Sequence, residues 1–162
     1  SYPTEIIAGP DSNLWFLADS SNGNNRAIAS ITTAGIVGQT LFSSYPPTSM
    51  ISGPDGNLWF LDESDQVIGY LNLSGSGYVF LLPQLGTGRD LAGGADGNFW
   101  VTNEAPQNQI ICFTPSTRII AFNLPDFGGQ PYAITPGPHD SLWFTETSGN
   151  LTGEIGRILL KR

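Results

Sequence analysis

Apolar residues along this chain come in short runs, each bounded by Gly, Pro, Asn, Asp or Ser, and one such boundary recurs four times. Gly53-Pro54-Asp55-Gly56-Asn57-Leu58-Trp59-Phe60 is matched by Gly9-Pro10-Asp11-Ser12-Asn13-Leu14-Trp15-Phe16. Further copies are Gly94-Ala95-Asp96-Gly97-Asn98-Phe99-Trp100-Val101 and Gly137-Pro138-His139-Asp140-Ser141-Leu142-Trp143-Phe144. All four Trp residues lie inside this octamer, 44, 41 and 43 positions apart. Its polar half predicts a tight turn: Pro is preset for the first central position, Asp caps its own backbone, and Gly56 and Gly97 adopt positive φ without a Cβ clash. Asp140 tolerates that conformation and Ser12 tolerates it less well, which predicts a looser first turn. Its apolar half predicts a strand. Leu58 and Phe60 face one way and Trp59 and Leu61 the other, so the strand is covered on both sides. In a repeat protein the neighbouring repeats supply that cover. Trp15, Trp59, Trp100 and Trp143 are therefore assigned to packing between repeats, in preference to ligand stacking.

The first three repeats carry three further strand-like segments and the fourth carries two. One leads into the octamer (Glu5–Ala8, Ser49–Ser52, Asp90–Gly93, Tyr132–Thr135). Another follows a polar loop (Ala27–Ile31, Val67–Leu71, Gln109–Phe113, Glu154–Ile158). A last one follows a second turn (Ile36–Phe42, Tyr78–Leu82, Arg118–Phe122) and has no counterpart in the fourth repeat. Four short strands in about 43 residues is the unit of a β-propeller blade. The expected fold is all-β: one propeller or half-propeller domain over residues 1–162, with repeats at 4–45, 46–86, 87–129 and 130–162. The last blade lacks its outer strand. Three outcomes stay open: a small four-bladed ring, two copies completing an eight-bladed ring, or part of a longer chain. An open apolar blade face favours association, as a homodimer or with the rest of a longer propeller, over a lone closed ring.

Composition narrows the partners. Twenty Gly, twelve Pro and 12% charged residues argue against long helices. A net charge of −8, with Lys161 the one lysine, argues against nucleic acid or an anionic membrane surface. No apolar run approaches the roughly 20 residues of a membrane span. Cys112 is alone and reads as a small buried apolar group. The chain starts at Ser1 without initiator Met or leader, as a processed or trimmed product would. Asn72-Leu73-Ser74 and Asn150-Leu151-Thr152 fit the glycosylation acceptor pattern. With few Lys and many Asn, Ser, Thr and Gly, this favours a soluble, extracytoplasmic or secreted protein.

The octamer, with Leu142-Trp143-Phe144-Thr145-Glu146 and Ile155-Gly156-Arg157-Ile158 after it, resembles the repeat of the virginiamycin B lyases (streptogramin lyases). The second repeat keeps Leu58-Trp59-Phe60 and Ile68-Gly69 of the same pattern. The resemblance implies a seven-bladed propeller, of which this chain has about half the blades. It also implies elimination at the ester of a cyclic depsipeptide, with Mg²⁺ and a His general base. That base does not carry over: His139, the one histidine, occupies the Asp position of the fourth turn, and no His lies near Glu146. Glu146 and His139 are the weak catalytic candidates.

Acidic residues follow the octamer strand in every repeat: Asp19, Asp62 with Glu63, Glu104 and Glu146. On one face of a propeller, Asp19, Glu63, Glu104 and Glu146 would ring the channel and hold Mg²⁺ or Ca²⁺ through oxygen. A solvated acidic rim is the favoured alternative. Tyr45, Arg89 and Tyr132 approach the inner strands, where they would meet a small acidic or sugar-like ligand. No Gly-x-Ser-x-Gly elbow and no phosphate-cradling loop is present. The reading preferred from sequence is a non-catalytic scaffold or ligand-binding propeller. A lyase of which this is a fragment or subunit, or a piece of propeller with no task of its own, are the alternatives.

Overall fold

The structure, a computed structural model, describes residues 2–19, 26–42, 45–82, 86–104, 106–124, 129–148 and 153–160. Its regular elements are fifteen strands, and among the described residues there is no helix. None, accordingly, is long and apolar enough to cross a membrane. The chain divides into two compact units, Ser1–Leu81 and Leu82–Arg162.

The first unit holds two four-stranded antiparallel meanders. One is β1 (Tyr2–Ala8), β2 (Leu14–Asp19), β3 (Arg26–Ile31) and β4 (Val37–Phe42), paired in that order. The other is β5 (Ser49–Ser52), β6 (Leu58–Asp62), β7 (Val67–Leu71) and β8 (Gly77–Leu81). In the second unit, β9 (Gly88–Gly93), β10 (Phe99–Asn103), β11 (Gln109–Phe113) and β12 (Ile119–Asn123) form the same meander. The last sheet has three strands: β13 (Gly129–Gly137), β14 (Ser141–Ser148) and β15 (Gly153–Leu159). The expected blade unit and the shortened fourth repeat are thus both present. The acceptor triplet at 150–152 lies outside the described residues. Asn72 is described, and its side-chain oxygen accepts from the backbone of Ser74 and Ser76, both at 3.0 Å.

Both units are built on one packing arrangement. β6 and β10 are buried along their whole length, as their apolar run on both faces requires. In the first unit Trp15, Leu17, Ile28 and Leu41 of one sheet meet Met50, Leu58, Phe60 and Leu71 of the next. In the second, Trp100, Ile110 and Cys112 meet Ile134, Leu142 and Phe144. The Trp face of one sheet is therefore laid on the Phe face of its successor. Burial pushes the Cys112 thiol up to about 11, with the Asp96 charge adding and Arg118 partly offsetting. That fits its reading as an apolar core group.

The octamer turn explains its own sequence. Gly53 N donates to Asn57 O at 2.8 Å, and Gly56 N donates to Gly53 O at 3.1 Å with Gly56 at φ 76°. The Asp side chain does more than cap its backbone. Its carboxylate also accepts the indole N–H of the Trp four residues on, at 2.9 Å for Asp11–Trp15 and 3.1 Å for Asp55–Trp59. Asp96 and Trp100 repeat the contact at 3.3 Å. Burial would raise the Asp11 carboxyl; hydrogen bonds from Trp15 and Asn13 outweigh it and leave the group below its usual range. The leading Gly makes room for the ring: a Cβ on Gly9, Gly53, Gly94 or Gly137 would come within 3.0 Å of the Trp Cδ1.

The first turn keeps the outer bond, Gly9 N to Asn13 O at 2.8 Å, with Ser12 held at φ 65°, but Ser12 makes no counterpart of the inner bond that Gly56 and Gly97 donate at 3.1 and 3.0 Å, as expected of the looser turn. One expectation is corrected. Trp15, Trp59 and Trp100 are buried, but Trp143 is only half-buried. Tyr70 and Phe80 lie 5.2 and 6.2 Å from Trp59, and Phe122 stacks 5.5 Å from Trp100. Trp143 has the Arg157 guanidinium 5.5 Å from its ring instead, and among the described residues its sheet has no fourth strand to supply an aromatic.

Gly53→Ala should cost about 2 kcal/mol or more in urea unfolding, because the new methyl collides with a buried indole. Gly56→Ala, where a Cβ meets nothing within 4 Å, should cost only the left-handed backbone penalty of about 1 kcal/mol.

Candidate functional site

The carboxylates predicted to act together do not occupy one equivalent position. Counted from the octamer Trp, Asp19, Glu63 and Glu104 stand four residues on, whereas Asp62 and Glu146 stand three. Side chains alternate along a strand, so Glu146 shares a face with Phe144 and Asp19 shares one with Trp15. Asp19 and Glu63 belong to the first unit, Glu104 and Glu146 to the second.

Asp19, Asp62 and Glu104 each have a local structural partner. Asp19 is bridged by Arg26 at 2.7 Å, its cross-strand neighbour on β3. Asp62, fully buried at the end of β6, accepts from Ser64 N at 2.8 Å, Ser64 Oγ at 2.7 Å and Asp65 N at 3.3 Å. It thereby shapes the β6–β7 turn. Glu104 is paired with Arg89. Arg89 in turn lies 5.7 Å from the centre of the exposed Tyr132 ring. The structure thus gathers Arg89, Tyr132 and Glu104, two suggested binding residues and one suggested metal ligand. Tyr45, in the other unit, packs against the core cluster that includes Trp15.

A polar seam that the sequence did not announce holds this cluster in place. Thr102 Oγ1 donates to Tyr132 O at 2.8 Å and accepts from Asp90 N at 3.0 Å. Asp90 accepts from Ile134 N at 2.8 Å and from Leu91 N at 2.9 Å. Thr102 and Asn103 are fully buried on an otherwise apolar strand. That interruption of Phe99-Trp100-Val101 is the one signal that could have marked them.

Glu146 differs from the other acids. It is 8% exposed and sits directly across β14–β15 from Glu154. Gly129 backs it; a Cβ there would lie 2.5 Å from Glu146 Oε2. Burial, and then the Glu154 charge, raise its carboxyl above the usual range. Glu146 and Glu154 also edge a pocket of roughly 360 Å³ whose walls include Ile110, Phe122, Phe144 and Ile158. His139 is exposed in the β13–β14 turn, where it and Asp140 have φ of 58° and 51°. There it takes the Asp position of the octamer, and Ser141 Oγ accepts the Trp143 indole N–H at 3.0 Å in place of a carboxylate.

The Mg²⁺ implied by the resemblance does not fit the donors within either unit. Arginines neutralise Asp19 and Glu104, Asp62 is committed to its turn, and buried Glu146 faces an acid rather than a ligand set. Among the described residues no three His, Cys, Asp or Glu side chains gather as a metal-holding group.

Comparison with known proteins bears on this arrangement. The Virginiamycin B lyase family model matches residues 1–161. A streptogramin B lyase structure superposes with a TM-score of 0.74 at 30% identity, covering 89% of this chain and 48% of that one. Virginiamycin B lyase from Staphylococcus aureus gives 0.75 at 26% identity, covering 99% of this chain and 56% of that one. A catalytically inactive His-to-Ala variant of the Staphylococcus aureus enzyme, solved with quinupristin, matches at the same values. A putative gluconolactonase at 17% identity and TM-score 0.68 shares the fold alone. No curated protein matches the sequence. The chain spans about half the length of the solved lyases it matches.

Because the folded state holds Glu146 in its protonated form more readily than the unfolded chain does, ionising it opposes folding as pH rises. Glu146→Gln should therefore raise the thermal midpoint at pH 7, and the gain should shrink as pH falls toward about 4. Thermal melts across that range check it.

Proposed function

The chain belongs to the virginiamycin B lyase family and has its β-propeller fold, and from that membership we propose that it is a propeller scaffold and small-ligand-binding module that does not perform the elimination alone. The observation that carries this is the placement of its one histidine. Proton abstraction beside a carbonyl needs a base with a pKa near neutral, within reach of the substrate proton. His139 is instead spent on a hairpin turn, exposed and in a left-handed backbone conformation. The inactivity of the His-to-Ala lyase supports the need for such a residue in that enzyme.

The strand-end acids support the same reading, since Asp19, Asp62 and Glu104 stabilise hairpins rather than face a common substrate. With about half the length of the lyases, the chain would complete a ring with a second copy or with further blades of a longer polypeptide. We place it outside the cytoplasm on its composition, poor in Lys and rich in Asn, Ser, Thr and Gly. One observation favours the lyase alternative: Glu146 is a buried carboxyl with a raised pKa beside a pocket, a pattern common at active sites.

Quinupristin incubated with the chain, with and without Mg²⁺, distinguishes the two. Elimination gives a linear product of unchanged mass, so it is read by chromatography. The expected result is no product under either condition. Product formation, above all product abolished by Glu146→Gln, overturns the proposal.

A further inference from the structure

The hairpins that join the third and fourth strands of the four-stranded sheets are built alike. Thr32, Asn72 and Thr114 open them, at β3–β4, β7–β8 and β11–β12. In each, the opening residue's N–H donates to the carbonyl four residues on, at 2.9, 2.8 and 2.9 Å. Its own carbonyl accepts the N–H three residues on, at 2.9, 2.9 and 2.8 Å. Its side-chain oxygen accepts a third bond: Ile36 N to Thr32 Oγ1 at 3.1 Å, Ser76 N to Asn72 Oδ1 at 3.0 Å, and Arg118 N to Thr114 Oγ1 at 3.0 Å. The turn therefore asks for one oxygen on a short side chain, and Thr supplies it in two of the three hairpins.

Asn72 supplies that oxygen and brings an amide nitrogen the turn does not use. Oδ1 accepts from Ser74 N at 3.0 Å and from Ser74 Oγ at 2.7 Å as well. Nδ2 donates to no described residue, and it is not enclosed. Leu73 packs against the core cluster of the first unit, while Ser74, Gly75 and Ser76 are exposed. The hairpin tip is thus anchored on one side and open to solvent on the other. Asn72-Leu73-Ser74 forms the Asn-x-Ser acceptor triplet, whereas Thr32-Thr33-Ala34 and Thr114-Pro115-Ser116 at the same places do not. A solvent-open Nδ2 in an acceptor triplet, at a turn that Thr closes equally well, serves a glycan and not the fold.

We propose that Asn72 is an N-glycosylation site. In the transfer, Nδ2 forms the bond to the anomeric carbon of a polyprenyl-diphosphate-linked sugar chain. The anomeric C–O bond breaks, the amide gives up one proton, and the polyprenyl diphosphate leaves with the bonding pair. An oligosaccharyltransferase of the secretory route supplies the donor and the active site. The product keeps Oδ1, and with it the side-chain bonds from Ser74 N, Ser74 Oγ and Ser76 N. The hairpin therefore accommodates substitution at Nδ2 without losing a hydrogen bond. The inference rests on the location outside the cytoplasm proposed above, and it does not depend on whether the chain catalyses a reaction.

The test is secretion of the chain from a eukaryotic host behind a cleavable leader, in an Asn150→Gln background that leaves one acceptor triplet. Imposing that route separates the site from the natural location, so a missing glycan counts against Asn72 alone. The intact mass should exceed that of the bare chain by one glycan, and peptide N-glycosidase should remove it and convert Asn72 to Asp. Asn72→Thr and Ser74→Ala should each abolish the glycan. Asn72→Thr keeps the turn oxygen, so its thermal midpoint should lie within about 4 °C of that of the bare chain, and so should that of the glycosylated chain. No glycan on the intact triplet, or a glycan that survives Asn72→Thr, overturns the proposal. So does a larger loss of thermal midpoint from the glycan or from Asn72→Thr, because the turn would then need the free amide.

Discussion

A buried indole must bring its N–H with it, and that donor needs an acceptor inside the packed layer. This constraint organises the molecule. Each sheet places one Trp on its second strand, and the turn just before that strand supplies the acceptor. Asp11, Asp55 and Asp96 do so with a carboxylate, and Ser141 with a hydroxyl. The same carboxylate accepts the backbone N–H two residues on. One side chain therefore fixes the turn, the register of the hairpin and the orientation of the largest core residue. The glycine that opens the octamer is the steric half of the arrangement, because only a residue without Cβ lets the ring lie over the turn.

The indole face of one sheet then packs on the Phe face of the next, in the same way in both units. Chemistry has little room within this scheme. The acids that end the octamer strands are largely absorbed by it: Asp19 by Arg26, Asp62 by its own turn, Glu104 by Arg89. Glu146 departs from the pattern because its neighbour across the strands is Glu154, and a like charge directly opposite is unfavourable. The fourth sheet is also where the octamer loses its Asp, where the indole is half-exposed and where the sheet stops at three strands. These departures fall together in one sheet.

Much of the fold was legible in the sequence because it is periodic. The octamer gave turn, strand and both-sided burial, and the spacing of the Trp residues gave the repeat. The turn carboxylate's bond to the indole was less visible, since Asp in a turn is already accounted for by backbone capping. The site was poorly legible for a different reason. Whether Glu146 or Asp62 takes the strand face that Asp19 takes in its own sheet depends on a one-residue difference in strand position, and the alternation of side chains turns that difference into opposite faces. Thr102 and Asp90 owe their roles to contacts 30 and 44 residues away in sequence, which local pattern does not reveal.

A double-mutant cycle between Asp55 and Trp59, using Asp55→Ala and Trp59→Phe in equilibrium urea unfolding, addresses the central constraint most directly. If the turn carboxylate holds the indole through its 3.1 Å hydrogen bonds, the two losses should be coupled by about 1 kcal/mol. Strictly additive losses would contradict the account.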